Sequence, residues 1–193
     1  MSRKRNRVLM VGVDDHTYGG MTAVQQSYRK HWQVEQYPLR YVGVFRDGST
    51  LTKILIALRG LFIFLWHLMV WQPNLIHVHF SWCGSVYRKS IFMLIGRLTG
   101  RVVIGHAHAY EFESFYQSQL SIARRYIRFV FRQLSHLIVL SPSWKTYYQK
   151  FVHKEQISVI YNPAEINAEP QFERLTASIL FLGEIGERKG VYD

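Results

Sequence analysis

The sequence predicts an α/β protein, a doubly wound parallel sheet with helices on both faces. Three observations predict it. Short apolar, β-branched runs alternate with segments of about 10–20 residues at helical period, the pattern of βαβ units. The runs are apolar throughout rather than at every second residue, as in strands buried on both faces. The first run leads through a glycine pair into a helix, which is how such domains open.

Taken in order, "RVLMVGV" (7–13) is the first strand, and "DDHTYGGMT" (14–22) is the loop that carries Gly19 and Gly20. A helix is expected over 22–32, a strand over 39–45 and a helix over 51–71. "LIHVHF" (75–80) is a strand, followed by a helix over 86–98 that Gly100 ends, glycine being the residue that leaves a helix most easily. "RVVIGHAH" (101–108) is the next strand. Residues 116–134 are expected as one helix, with Ala123, Ile127, Val130, Phe131 and Leu134 as its core-facing stripe. "SHLIVLS" (135–141) is a strand, and Pro142 sits in the first turn of a helix over 142–152, where its missing N–H is no loss. "QISVIYN" (156–162) is the last strand of a domain that spans 1–161. Residues 162–177 are polar, contain two prolines and read as a linker. "SILFLG" (178–183) then opens a new buried strand. A strand and one loop cannot bury themselves, so 178–193 is expected to be the truncated start of a second α/β domain.

The 193 residues are 48% hydrophobic and 15% aromatic, which is ample for a packed core and excludes disorder over most of the length. The single cysteine, Cys83, excludes a disulfide framework and points to the cytoplasm. The chain has 24 Lys+Arg against 13 Asp+Glu, a formal charge of +11. That field draws phosphates, anionic lipid or nucleic acid without choosing among them. The basic start "MSRKRNR" runs straight into the first strand, which is not the layout of a signal peptide. The most apolar window, 54–71, contains Arg59, Gly60 and His67. It falls short of the roughly 20 apolar residues of a membrane span, so a buried or interfacial helix is expected.

In open parallel sheets ligands bind beyond the carboxyl ends of the strands. The residues gathered there are Gly19 and Gly20, His77 and His79, His106 and His108, Ser141 and Ser143, and Asn162. A glycine pair before a helix lets backbone N–H groups approach an anion, although it can equally be a tight turn. At period two, each histidine pair shares one face of its strand, and neighbouring strands would bring four imidazoles together. With Glu111 or Glu113 they would suit a metal-dependent hydrolase. No further ligand cluster follows downstream, so no metal is expected, and the other readings are core histidines or the polar lip of a cleft. Arg124, Arg128 and Arg132 recur at i, i+4, i+8 beside Arg125, either as a solvated face or as a contact for anionic headgroups or a phosphate-bearing acceptor. "GEIGERKG" (183–190) places Arg188 and Lys189 at a helix start, suited to a diphosphate or to a plain basic turn.

Taken together these segments resemble the retaining family-four glycosyltransferases of the GT-B fold. "VLMVGVDDHTYGGM", "PNLIHVHF", "IGHAHAYEFESFY", "SHLIVLSPSWK", "VIYNPAEI" and "ILFLGEIGERKGVYD" follow one another as that family's motifs do. The resemblance implies two Rossmann-like domains, the N-terminal one holding the acceptor and the C-terminal one the nucleotide-sugar, with the anomeric configuration retained. It implies that His108 hydrogen-bonds the donor sugar, that Gly19 and Gly20 approach phosphate and acceptor, and that Lys189, with Arg188 beside it, neutralises the leaving diphosphate. It implies no cofactor and no metal, the nucleotide-sugar being a co-substrate. Glu184 stands where the family usually has arginine, and Ala109 where it has glycine.

The expected function is therefore sugar transfer from a nucleotide-sugar to a glycan or lipid-linked acceptor in surface polysaccharide biosynthesis. The expected location is cytoplasmic, peripheral at the inner membrane face, with anionic membrane as a candidate contact and no nucleic acid. The 193-residue chain alone is expected to be inactive, with the paired-glutamate segment beyond its end. The alternatives are a non-catalytic fragment that binds membrane or a partner, and the histidine-cluster hydrolase.

Overall fold

Strand β1 (Val8–Gly12) is buried at every position, so it needs a neighbour on either side and a layer on either face. Both are present in the computed structural model of the chain, which describes residues 6–17, 19–108 and 111–163. β1 joins β2 (Leu39–Gly43), β3 (Leu75–Phe80), β4 (Val102–Ala107), β5 (His136–Val139) and β6 (Ile157–Val159) in one sheet of order β2-β1-β3-β4-β5-β6. Every pairing is parallel. The helices are α1 (Gly20–Lys30), α2 (Thr50–Trp66, extended by a π-helical turn over His67–Trp71), α3 (Gly84–Leu98), α4 (Phe112–Ser118), α5 (Ser121–Arg132) and α6 (Pro142–Tyr148).

The register lines up Leu9 with Ile76 and Ile76 with Val103. This gives one apolar sheet face, packed against Phe64, Phe92, Ile127, Phe131 and Tyr148 from α2, α3, α5 and α6. Right-handed crossovers put those helices on one side and α1 on the other. The α1 side is where β3 and β4 place His77, His79 and His106, all buried. The order of the strands reverses between β1 and β3, so the loops leaving these two strands part company and open a crevice at their carboxyl ends.

One boundary differs from the sequence expectation for a physical reason. The segment 116–134 is two helices, because the chain turns extended at Gln119 and Leu120. Ser118 Oγ and Gln119 Nε2 donate to the Phe115 carbonyl there, at 2.8 and 3.2 Å, and so close the end of α4. This lets Phe112 meet Phe131 of α5 and Tyr148 of α6, and Tyr116 meet Phe151 just past α6, as separate aromatic knobs. Helix α6 starts as expected, with Ser141 Oγ accepting from the Trp144 N–H at 3.3 Å and Pro142 in the first turn. The chain divides into two compact units, Met1–Pro163 and Ala164–Asp193. Most of the expected linker and the whole expected second-domain start lie outside the described residues.

Candidate functional site

The crevice between β1 and β3 is built first by what fixes the β1 loop. Gln25 of α1 is buried, and its Oε1 accepts from the Val13 N–H at 3.2 Å and from the Tyr41 hydroxyl at 2.7 Å. Thr22 Oγ1 donates to the Thr17 carbonyl at 2.6 Å, and Arg46 pairs with Asp14 at 2.8 Å. Burial raises the Asp14 carboxyl, but the His16 backbone N–H and Arg46 outweigh it and hold the group below its ordinary value. With the loop held at both ends, Gly19 caps α1 at φ 143°, a conformation that side-chain-bearing residues avoid. A Cβ on Gly19 or Gly20 would meet nothing within 4 Å. The first turn of α1 holds no acidic residue and no side-chain cap among the described residues, which leaves its leading N–H groups, at the positive end of the helix, without a partner from the helix itself.

β3 and β4 supply the histidines. His79 lies opposite His106 in the register. Four imidazoles stack, with ring centroids 4.3 Å apart for His106–His108, 4.8 Å for His79–His106 and 5.1 Å for His79–His108. Tyr28 of α1 sets its ring edge-on to His77, His79 and His106 at 5.8–6.3 Å. His77 Nε2 is 3.3 Å from His106 Nδ1, and His79 Nδ1 is 2.9 Å from His108 Nε2. Only His108 keeps partial exposure, just past the end of β4, where its backbone N–H donates to the Phe80 carbonyl at 2.9 Å. Burial depresses all four basicities, with neighbouring histidines adding to the effect at three of them. His77 and His108 fall from 6.5 to about 4, and His79 and His106 are lowered as well. The stack is therefore neutral at physiological pH.

Neutral imidazoles carry one proton each, and the hydrogen-bond accounting says where. His79 Nε2 and His106 Nε2 are buried without a partner. An orphaned acceptor is tolerated better than an orphaned N–H, so the proton of each sits on Nδ1. His79 then donates to His108 Nε2, which leaves His108 with its proton on Nδ1. The partly exposed histidine is thus prepared as a hydrogen-bond donor towards the rim. The nitrogens of His77, His79 and His106 lie within 4.8 Å of one another, close enough to ask whether they fit a metal. His77 Nε2 and His106 Nδ1 are already aimed at each other at 3.3 Å, and His79 Nδ1 at His108 Nε2, so these nitrogens are spent on N–H···N pairs rather than on a shared ion. Glu113 is turned away, accepting from Gln117 Nε2 at 3.3 Å and facing Lys150 at 3.7 Å. The set fits a packed polar wall better than a coordination sphere.

The structure adds residues that the sequence reading passed over. Lys89 of α3 is 1% exposed and donates to the Gly12 carbonyl, which ties α3 to the end of β1 across the crevice. Burial, and then Arg88, lower its basicity well below the usual lysine range. The signal was present: Lys89 lies three residues after Val86 and four before Met93, on the buried stripe of its helix. Next to it, Trp82, Cys83, Gly84, Tyr87 and Phe115 line a depression of about 580 Å³ where β3 gives way to α3. Cys83 there has φ 53°, strain of the kind that collects at binding sites.

Other expected residues are not at the crevice. Ser141 and Ser143 share a 2.8 Å hydrogen bond at the start of α6, and Ser141 is its cap. Arg124 and Arg128, with Arg125, Tyr116 and Ser121, line a shallow basic groove of about 220 Å³ on α5. Arg128 donates to the Tyr116 hydroxyl at 3.1 Å, and Arg132 lines a separate hollow with residues 149–154. Arg188 and Lys189 lie outside the described residues.

A parallel sheet with a crevice at its switch point, glycines under one lip and a prepared histidine under the other is shared by many nucleotide and sugar enzymes. Comparison with known proteins narrows it. No individually curated protein matches the chain. The family model described as Glycosyltransferase Family 4 matches residues 22–167, a stretch that contains Gln25, the four histidines, Lys89 and the Trp82 depression. On that match the chain belongs to glycosyltransferase family 4, as its strand-end motifs led us to expect.

Proposed function

We propose that residues 1–163 form the acceptor-side wall of a retaining transferase. It moves a sugar from a nucleotide-sugar to a glycan or lipid-linked acceptor in surface polysaccharide assembly at the cytoplasmic face of a membrane. The observation that carries the reading is the placement of His108. It is the one partly exposed member of a neutral stack, at the strand-end rim, with its proton directed by His79 to the nitrogen not engaged in the stack. In this role it donates to a hydroxyl of the donor sugar. A neutral donor suits that task, because it orients a hydroxyl without a charge to desolvate.

The N–H groups at Gly19 and Gly20 approach a phosphate, and Arg188 and Lys189 neutralise the departing diphosphate. Developing charge on that leaving group is what such a site must stabilise. The apolar, aromatic depression at Trp82 and Tyr87 suits the face of an acceptor sugar. The reading needs no metal and no cofactor beyond the nucleotide-sugar. The Arg124, Arg128 and Arg132 row serves as a contact for an acceptor phosphate or an anionic headgroup. On this reading the described residues supply the acceptor-side wall, and they transfer no sugar without a donor-side wall facing them.

The test is a transfer assay with a panel of labelled nucleotide-sugars and lipid-linked acceptors. The 193-residue chain is expected to give no product above its His108→Ala variant. Turnover by the chain alone, abolished by His108→Ala, would contradict the one-wall reading.

A further inference from the structure

Helix α2 has an outer surface that water does not explain. Thr50–Trp71 runs for 22 residues, its most apolar window has a mean hydropathy of 2.0, and only 17% of that window is buried. Leu51, Ile54, Leu58, Phe62, Leu65 and Trp66 are 38–70% exposed. At about 100° per residue they fall in one arc of about 120°, and no polar side chain enters it. Soluble monomers seldom show so large a continuous apolar patch.

The inner surface is committed elsewhere. Phe64 is fully buried, and a Cβ on Gly60 would sit 2.7 Å from Val44 Cγ1 and 2.9 Å from the Gly43 carbonyl. A helix pressed this closely onto β2 cannot cross a bilayer without dismantling the sheet. It can lie in one.

The neighbouring helices continue the surface. α2 meets α3 through Phe64 and Phe92, and α3 meets α5 through Ser90 and Tyr126. On the sides of α3 and α5 turned from the sheet, Ile91 with Leu98 and Ile122 with Phe129 repeat at i, i+7 and are exposed. Arg125 and Arg132 stand exposed beside the second pair. The helix segment 50–71 carries Lys53 and Arg59 and no acid, in a chain of net charge +11. A cationic apolar face repels a second copy of itself and attracts anionic headgroups. Trp66 and Trp71 at the end of α2 are residues that favour the boundary between headgroups and acyl chains.

We propose that the outer face of α2, continued by α3 and α5, is buried in the headgroup–acyl boundary of an anionic bilayer. The helix then lies in the membrane plane. It begins at Ser49, on the carboxyl-end side of the sheet, so the crevice opens sideways along the membrane surface. A lipid-linked acceptor reaches the rim without leaving the bilayer, a step that rests on the acceptor class proposed above.

Flotation of the 193-residue chain tests the docking without any transfer assay, so the two readings fail separately. Phosphatidylcholine vesicles with and without phosphatidylglycerol serve as probes. The chain is expected to float with the phosphatidylglycerol vesicles and less with phosphatidylcholine alone. The double variant Leu58→Asp, Phe62→Asp, whose fold is checked by circular dichroism, is expected to lose at least about tenfold in partitioning. A wild-type chain that stays in the soluble fraction, or a folded double variant that floats as well as wild type, would overturn the proposal. So would a dimer in sedimentation velocity that the same substitutions dissociate, if the wild type does not float.

Discussion

At the scale of single residues, the histidine stack behaves as one unit because its members hydrogen-bond to one another in pairs. The proton placement argued for His79, His106 and His108 is directly visible in nitrogen NMR of the imidazoles. All three should be the Nδ1–H tautomer, and His79→Leu should release His108 from it. An Nε2–H tautomer at His108 in the wild type would contradict the hydrogen-bond accounting. The same burial makes stability depend on pH. His77 and His108 titrate near 4 in the folded chain, against 6.5 ordinarily. The unfolded chain therefore binds more protons below about 6.5, and stability that is complete above that value falls as pH drops towards 4. His77 alone is expected to contribute on the order of 2 kcal/mol less at pH 5 than at pH 7. Urea midpoints at the two pH values measure it, and equal midpoints would show that the stack is not buried as described.

At the scale of elements, α2 shows how the helix layer is held. Gly60 admits the close approach to β2 that buries Phe64. Gly60→Ala should destabilise the domain by about 1–3 kcal/mol, whereas Leu58→Ala on the outer face should change stability by less than about 0.5 kcal/mol. Denaturant unfolding separates the two, and equal effects would place Gly60 outside the tight contact. The sequence carried the elements themselves clearly, because β1, β3 and β5 are apolar runs and every crossover has a helical period. It carried the pairing of the histidines as well, since period two and adjacency require it. It did not show the break between α4 and α5. No glycine or proline marks Gln119–Leu120, and the turn is made by Ser118 and Gln119 side chains whose role appears only once Phe112 and Tyr116 are packed. Lys89 was hidden differently: a lysine in a helix reads as surface unless its position on the buried stripe is weighed. The sequence left α2 as either buried or interfacial, because a strongly apolar helix looks the same whether its outer face meets protein or lipid.

At the scale of the whole molecule, two features come from topology rather than from any motif. The reversal of strand order at β1 and β3 makes the crevice, and the handedness of the crossovers gathers α2, α3 and α5 on the face opposite the histidines. The histidine-lined rim and the apolar face thus occupy different sides of one domain and do not compete for the same surface. The formal charge of +11 favours both an anionic co-substrate and an anionic membrane. The family assignment supports sugar transfer in general, and the crevice is where the described domain can take part in it.

The most direct measurement is backbone NMR of the 193-residue chain titrated with a lipid-linked sugar acceptor in micelles, referenced to the same micelles without the sugar. The sugar-dependent shifts are predicted to cluster at Gly19, Gly20, Trp82, Cys83 and His108, around the β1–β3 crevice. Shifts confined to the hollow lined by Arg132 and residues 149–154, or none beyond those of empty micelles, would contradict the placement of the sugar site at that rim.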